Sequence, residues 1–207
     1  MRLFLSYIGR TLFKEQFLTL KSKLTSIYSQ MEVDDNLVRT ETLTKFLISG
    51  EDHRFKYHFG FDFIAIIRAI RNRIFYKKIE GASTIEQQLV RVLTNRYDRT
   101  LTRKIREILL STTLTDIVPR RHIPMIYLHV AYYGTNMHGL SQALLKFNIS
   151  NKKSISEDLA AEIVARIKYP EPKICSELRN RQISLRKTHL LQLYQKHKLR
   201  KILTVYD

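Results

Sequence analysis

Glu51-Asp52 opens a stretch of sequence whose residue types suit proton transfer, because Phe55, His58, Phe59 and Phe61 follow it closely. An acidic pair taken alone is more often a solvated surface feature than a site. A carboxylate set among three phenylalanines, however, would be partly desolvated, and this favours a role in proton transfer. His58 has two interpretations, a substrate contact or an interior histidine held by hydrogen bonds.

A second segment, Arg103-Lys104-Ile105-Arg106-Glu107, places a carboxylate among cations. At 100° per residue, Arg103 and Glu107 share one face of a helix. A surface ion pair, worth roughly a few tenths of a kcal/mol, explains this spacing when the segment is taken alone. The functional alternative is that Glu107 and its neighbouring cations handle a phosphate or a metal ion.

Taken together, three ordered motifs resemble those of glycosyltransferase family 51, the peptidoglycan glycosyltransferase domains of class A penicillin-binding proteins and of monofunctional enzymes. The motifs are Glu51-Asp52-x-x-Phe55-x-x-His58-x-Gly60, then Gly81-Ala82-Ser83-Thr84-Ile85-x-Gln87-Gln88-Leu89, then Arg103-Lys104-x-x-Glu107. Their order and spacing both fit, and the first two are long enough to be specific. The resemblance covers about residues 41–172.

The resemblance implies an all-α, lysozyme-like bilobal fold, with a head and a smaller jaw that rests on the membrane. It also implies a reaction in which the 4-hydroxyl of an acceptor sugar attacks the anomeric carbon of a lipid-linked donor, with inversion. This reaction polymerises lipid II into glycan strands and releases undecaprenyl pyrophosphate. The expected partners are lipid II, the growing strand, an anionic membrane surface and other proteins of cell-wall synthesis.

The same resemblance implies residue roles. Glu51 matches the general base of the family, and Glu107 matches a second glutamate that supports the pyrophosphate site and is the candidate metal ligand. The implied cofactor is a divalent cation, Mg²⁺ or Mn²⁺, and no organic cofactor is expected. Pyrophosphate is a good leaving group that needs cations placed in advance rather than a proton. The positions that match substrate contacts or residues shaping the cleft are Asp52, Phe55, His58, Ser83, Thr84, Gln88, Arg91, Arg103 and Lys104.

Several positions depart from the family pattern and support a second hypothesis. Arg91-Val92 stands where a lysine-asparagine pair is usual, and arginine keeps the charge but not the point-like geometry of an ammonium. Met125 and His129 stand where the family has a glutamate and an asparagine. The alternative is therefore a catalytically weak or inactive relative that binds lipid II or regulates cell-wall synthesis.

Net charge is the strongest signal in the composition, since Lys and Arg exceed Asp and Glu by 17. This excess favours a polyanionic partner. Nucleic acid is not favoured, because the basic residues are spread along the chain and no recognition motif accompanies them. A lysozyme-like hydrolase would share the paired carboxylates but would not need the cations, since its leaving group is a sugar. No histidines and cysteines have the spacing of a known zinc motif.

The elements that must position these residues follow one another as helices. Apolar residues at helical spacing predict a helix over residues 62–76, and the segment from Ser83 to Glu86 has the form of a capping box that starts another. Further helices are predicted after Ser156 and, in a basic stretch, from about residue 176. The buried face predicted for the helix that carries Glu107 consists of Leu101, Ile105, Ile108 and Thr112.

These patterns divide the chain into two parts. Residues 1–40 form an amphipathic helical segment expected near the membrane, and residues 41–207 form the glycosyltransferase-like domain with its basic helical end. No secretory signal is evident, and no apolar run approaches the roughly 20 residues that a spanning helix needs. The resemblance nevertheless implies a membrane-associated protein at the outer face of the cytoplasmic membrane.

Overall fold

The fold, described by a computed structural model over residues 1–33, 37–78, 81–98, 100–149, 155–174 and 176–200, is all-α, as predicted. The described helices are α1 (Arg2–Leu12), α2 (Lys14–Val33), α3 (Leu37–Glu51), α4 (Phe63–Tyr76), α5 (Ile85–Thr94), α6 (Leu101–Ser111), α7 (Ile123–Val130), α8 (Leu140–Lys146), α9 (Glu157–Lys168) and α10 (Glu177–Leu199). Strands β1 (Tyr132–Gly134) and β2 (Met137–His138) pair antiparallel, with Tyr132 opposite His138 and Gly134 opposite Met137.

The chain divides into two compact units, each built from two stretches of sequence. Unit 1 comprises Met1–Ser26 and Arg54–Ile123, and unit 2 comprises Ile27–His53 and Pro124–Asp207. In unit 1, α6 packs against both α5 and α1, while in unit 2 the helices α3, α9 and α10 pack against one another. The predicted division at residue 40 separates a segment expected near the membrane from the rest of the chain. This division stays a prediction.

Polar contacts at Asp116 attach α1 to the rest of unit 1. Ser6 donates to its carboxylate at 2.7 Å, and the guanidinium groups of Arg2 and Arg10 form ion pairs with it. Burial acts to raise the pKa of Asp116, but the hydrogen bonds from Ser6 and Arg10 outweigh it, and the pKa is lowered. Asp116 is therefore a charged anchor for the polar side of α1.

The helix α4 forms where predicted but leaves its apolar side chains in solvent. Asp62 caps it by accepting a hydrogen bond from the backbone N of Ala65 at 3.1 Å. Ala65 is the one buried residue of this helix. More than half of each of these side chains is exposed: Phe63, Ile64, Ile67, Ile70, Ile74, Phe75 and Tyr76. No helix in the described part of the chain combines the length and the apolar character that crossing a bilayer requires.

The start of α5 differs in detail from the predicted capping box. The cap is Thr84, whose Oγ1 accepts a hydrogen bond from the backbone N of Gln87 at 3.2 Å, and not Ser83. Glu86 does not reach back to close a box. It is fully buried instead, with its Oε1 atom 3.5 Å from the guanidinium of Arg120. The prediction of a capping box was therefore wrong, because a buried ion pair holds Glu86 inside unit 1.

The predicted buried face of α6 was also wrong. Leu101 and Ile105 are 84% and 56% exposed, whereas Glu107 and Leu110 are buried. Of the four predicted positions, Thr112 alone is buried. Apolar spacing misled the prediction because a carboxylate can turn inward when cations neutralise it, which lets the polar side of this helix face α5.

In the segment before α4, Gly60 has a backbone conformation with a positive φ angle, which is energetically unfavourable for other residues. Its φ angle is +100°, and a Cβ atom there would lie 2.6 Å from the carbonyl carbon of Ser111 and 2.7 Å from the backbone N of Thr112. Both obstacles are backbone atoms, which cannot swing aside as the end of a side chain can. Gly60 thus allows the first motif to approach the end of α6 closely.

Gly60→Ala is expected to lower the free energy of unfolding by about 2 kcal/mol or more, because left-handed backbone costs a residue with a Cβ roughly 1–2 kcal/mol before any clash. Urea denaturation followed by circular dichroism measures this change. Gly81→Ala is the matched control, since nothing lies within 4 Å of a Cβ at Gly81, and it should stay within about 0.5 kcal/mol of the native chain. Equal effects at the two positions would contradict the prediction.

Candidate functional site

The buried carboxylate of Glu107 is the centre of the candidate site in unit 1. Arg91 of α5 meets it with a two-pronged contact, from Nε to Oε1 at 2.7 Å and from Nη2 to Oε2 at 3.1 Å. Arg103, one turn earlier on α6, donates from Nη1 to Oε1. The Nζ atom of Lys104 lies 4.0 Å from Oε2. The predicted pairing of Arg103 with Glu107 on one helix face is confirmed.

Lys104 links this cluster to the second motif. Its Nζ atom donates to Ser83 Oγ at 2.9 Å and to Gln87 Oε1 at 2.5 Å. Burial lowers the pKa of Lys104. Glu107 acts against this change, and Arg91 adds to it. An anion that approaches Lys104 would therefore relieve an ammonium group that burial disfavours.

The cluster carries more positive than negative charge. Three cations surround one carboxylate, so two positive charges are in excess. The exposed fractions of the side chains of Arg91, Arg103 and Lys104 are 27%, 14% and 30%, while that of Glu107 is 3%. The carboxylate thus lies beneath cations that still reach solvent, and this arrangement suits an anionic ligand with at least two negative charges.

A divalent metal ion does not fit the carboxylate of Glu107 in this arrangement. Both of its oxygens already accept hydrogen bonds from guanidinium groups, and a metal ion would enter among three positive charges. Mg²⁺ and Mn²⁺ prefer sites built from carboxylate, carbonyl and water oxygens. Glu107 is therefore not a fitting metal ligand in this arrangement, and the divalent cofactor stays a prediction.

Thr84 and Gln87 shape the site by holding the end of the first motif. The carbonyl oxygen of Gly60 accepts hydrogen bonds from Thr84 Oγ1 at 2.6 Å and from Gln87 Nε2 at 3.5 Å. Both side chains are buried, so they act on the shape of the site. Gln88, the next residue of α5, is partly buried.

Arg120 holds the aromatic turn of the first motif. Its guanidinium lies 4.5 Å from the ring centroid of Phe55 and 5.1 Å from that of Phe59, and it donates to the carbonyl oxygen of Phe55. His58 lies edge-on to Phe55, with its Nδ1 atom 3.9 Å from Oε1 of Glu86. His58 and Phe55 are 7% and 1% exposed, so both side chains lie in the interior, and the substrate contact of His58 stays a prediction.

Glu51 occupies the last position of α3 in unit 2, and an arginine of α10 holds its carboxylate. Arg186 donates from Nη2 to Oε1 of Glu51 at 2.7 Å and to the carbonyl oxygen of Gly50 at 2.9 Å. The side chain of Glu51 is 17% exposed and that of Arg186 is 9% exposed, so water screens this ion pair little. Asp52, the next residue, is buried. The predicted aromatic surroundings of Glu51 stay a prediction, since those phenylalanines belong to unit 1.

Close packing of α10 against α3 fixes where Glu51 lies within unit 2. A Cβ atom on Gly50 would lie 2.2 Å from Cδ2 of Leu190, so glycine permits the approach of the two helices. Four residues further along α10, Tyr194 stacks on Phe46 with ring centroids 4.3 Å apart. These contacts keep the end of α3 within reach of the guanidinium on α10.

A buried pair of polar groups completes this packing. Ser49 Oγ and His197 Nδ1 share a hydrogen bond of 2.7 Å, and the ring of His53 stacks on that of His197 at a centroid distance of 5.5 Å. Burial lowers the pKa of His197, and the neighbouring His53 adds to this. The lowered pKa favours the neutral form of His197 near pH 7, so this buried ring adds no charge to the packing.

The structure brings together six of the predicted site residues in unit 1. They are Ser83, Thr84, Arg91, Arg103, Lys104 and Glu107, with Gln87 as a bridge. The sequence analysis missed Arg186, Arg120 and Glu86. Arg186 is one basic residue among many in α10, and its contact with Glu51 spans 135 positions, which no local pattern reveals. A signal did exist for Glu86, an acid that stands between Ile85 and the two glutamines of the second motif.

Comparison with known proteins shows which family this chain resembles. The transglycosylase family matches residues 29–195. The chain is 34% identical over 152 residues to the biosynthetic peptidoglycan transglycosylase of Nitrosospira multiformis, covering 72% of this chain and 64% of that protein. It is also 28% identical over 190 residues to the monofunctional glycosyltransferase of Staphylococcus epidermidis, covering 83% of this chain and 71% of that protein. The match to the first of these spans less than two thirds of that relative's length.

Arg186→Met is expected to lower the free energy of unfolding by about 2 kcal/mol, because it removes the guanidinium that pairs with the shielded carboxylate of Glu51. The double variant that also carries Glu51→Gln should lose less stability than the sum of the two single variants, by at least about 1 kcal/mol. Urea denaturation of the two single variants and the double variant measures this coupling. Arg181→Met, at an exposed position of the same helix, is the control and should cost less than about 0.5 kcal/mol. Strict additivity would show that the ion pair does not stabilise unit 2.

Proposed function

Because the chain belongs to the transglycosylase family, we propose that it is a peptidoglycan glycosyltransferase that polymerises lipid II into glycan strands. The observation that carries the proposal is the cation cluster on Glu107, which provides positive charge in advance for a pyrophosphate leaving group. The relatives' names, transglycosylase and glycosyltransferase, support the same reaction class. The growing strand and other proteins of cell-wall synthesis stay predicted partners.

The leaving group departs from the anomeric carbon with its two phosphates, so negative charge grows on an oxygen as the bond breaks. Arg91, Arg103 and Lys104 supply hydrogen-bond donors and charge for that oxygen without waiting for a proton. Glu107 keeps these cations together, because they would repel one another without it. The two-pronged contact of Arg91 uses a geometry that lysine lacks, so the departure from the family's lysine is accommodated here.

The acceptor hydroxyl needs a base, because a neutral sugar hydroxyl is a poor nucleophile. Glu51 takes the proton of the 4-hydroxyl while that oxygen forms its bond to the anomeric carbon of the donor. On the opposite face the bond from that carbon to the phosphate oxygen breaks, and undecaprenyl pyrophosphate leaves with both electrons. Arg186 holds one oxygen of Glu51, which fixes the direction of its carboxylate.

Glu51→Gln is expected to reduce glycan polymer formation from lipid II by at least about 100-fold, since a positioned general base contributes roughly 10²–10⁴-fold. The assay separates glycan chains by gel after incubation in detergent, with Mg²⁺, with Mn²⁺ and with a chelator. Glu41→Gln is the control, because Glu41 is an exposed acid on the same helix, and polymer formation should stay within about twofold of the native rate.

Absence of polymer from the native chain under all these conditions would refute the proposal. Lipid II binding that persists in Glu51→Gln without turnover would instead support an inactive relative that binds lipid II. The departures at Val92 and His129 motivate that second candidate.

The chain also binds to an anionic membrane surface, at the outer face of the cytoplasmic membrane. The exposed apolar side chains of α4 form a patch of the kind that marks a membrane or protein interface. The same helix carries three arginines and no acidic residue after its cap. In unit 1, α1 likewise exposes Leu3, Phe4 and Tyr7. Apolar side chains flanked by cations are typical of helices that lie in the interface of an anionic bilayer.

The double variant Ile67→Gln/Ile74→Gln should weaken binding to phosphatidylglycerol-containing vesicles by at least about tenfold, because each isoleucine would otherwise bury an apolar side chain in the bilayer. Co-sedimentation with vesicles measures it, and added salt should also weaken binding. Leu178→Gln/Leu185→Gln is the control, since both leucines are more than half exposed but lie on α10. Equal losses in both double variants, or equal binding to zwitterionic vesicles, would contradict this mode of docking.

A further inference from the structure

Unit 2 contains a cavity of about 780 Å³ that the proposed reaction does not use. Its walls come from the turn between β1 and β2, from α8, α9 and α10, and from residues 171–173. Sites for small molecules span about 300–1,000 Å³, so the space suits a ligand of roughly disaccharide size rather than a single ion. Glu51 and Arg186 are not among the residues that line it.

Arg166 forms a fixed cationic group in this cavity. Its Nε atom donates to Oε2 of Glu171 at 2.9 Å, and its Nη1 atom donates to the carbonyl oxygen of Glu162 at 2.9 Å. The guanidinium also lies 4.9 Å from the ring centroid of Phe147, and the side chain is 11% exposed. Nη2 donates to no residue that the structure describes, so this end of a rigidly held guanidinium is left for a ligand.

The charges in the cavity favour an anion. Two of the lining residues are acids and four are cations, so two positive charges are in excess. The acids are Glu162 and Glu171, and the cations are Lys146, Arg166, Lys173 and Lys187. Hydrogen bonds to Asp158 and Glu162 raise the pKa of Lys187, which keeps this cation charged. The two acids are already neutralised by ion pairs with Arg166, Lys146 and Lys187, and they do not repel an incoming anion strongly.

The neutral part of the lining favours a ligand rich in hydroxyl and amide groups. Two amides and two hydroxyls line the cavity, from Asn136, Asn180, Thr135 and Ser184. No aromatic side chain is among the described lining residues, so a nucleobase finds no surface to stack on. Ile183 and Pro172 are the apolar lining residues, which is too little apolar surface for an acyl chain.

We propose that this cavity binds an anionic saccharide of about disaccharide size. The acidic group of the sugar, a carboxylate or a phosphate, binds the free end of the Arg166 guanidinium, and Lys173 adds a second positive charge. The sugar hydroxyls bind the amides and hydroxyls of the lining. This binding goes beyond the proposed reaction and does not depend on turnover.

Calorimetry on the full chain tests the proposal with three disaccharides: one that contains a uronic acid, one that carries a phosphate, and a neutral one of the same size. Saturable binding of an acidic disaccharide, at least about tenfold tighter than the neutral one, is the expected result; that factor corresponds to about 1.4 kcal/mol. The two acidic probes distinguish a carboxylate from a phosphate. Inorganic phosphate or acetate that binds as tightly as the acidic disaccharides would overturn the proposal, and so would the absence of saturable binding.

Variants locate the binding. Arg166→Gln should abolish it, but this change also removes a partner of two acids, and folding is checked by circular dichroism. Lys173→Gln and Ser184→Ala, at exposed positions of the lining, should each weaken binding at least about threefold without affecting the fold. Lys168→Gln, at an exposed position outside the cavity, is the control. Glu51→Gln should leave binding unchanged; if binding is lost there but survives in Lys173→Gln and Ser184→Ala, the sugar binds elsewhere and the proposal fails.

Discussion

A carboxylate can be buried in a protein only when cations or hydrogen bonds replace the water that it loses, and unit 1 is arranged around this requirement at Glu107. Arg91 on α5 and Arg103 on α6 satisfy it, which joins the two helices through charge as well as through apolar packing. Lys104 then reaches the start of α5, where Ser83 and Gln87 accept its hydrogen bonds. One buried charge therefore determines the orientation of the residues that the proposed reaction needs for its leaving group.

Unit 2 also shields a carboxylate from water, but a different arrangement of helices neutralises it. The carboxylate of Glu51 lies at the end of a helix, and an arginine from a distant part of the sequence binds it. The contact depends on close packing between α3 and α10, which Gly50 permits because it has no side chain to oppose Leu190. The position of this carboxylate and the packing of the two helices are thus one constraint, and a change in the packing would move the carboxylate.

Most of the helices could be predicted from the sequence, because apolar residues recur at the helical period and capping residues such as Asp62 and Ser156 precede them. The pairing of Arg103 with Glu107 was equally accessible, since it depends only on the geometry of one helix. The errors share a cause. The buried side of α6, the inward turn of Glu86 and the partner of Glu51 all depend on ion pairs between residues distant in sequence, and a periodic pattern contains no information about them.

The lowered pKa of Lys104 couples ligand binding to protons. When an anion such as pyrophosphate enters the cluster, its negative charge favours the ammonium form of Lys104 and draws the pKa of that group upward. At alkaline pH, where part of the protein has lost this proton, binding of the anion is accompanied by proton uptake and its departure by proton release. The affinity of the cluster for such an anion is therefore expected to weaken as the pH rises, so the partly buried Lys104 makes release of the anion sensitive to the surrounding pH.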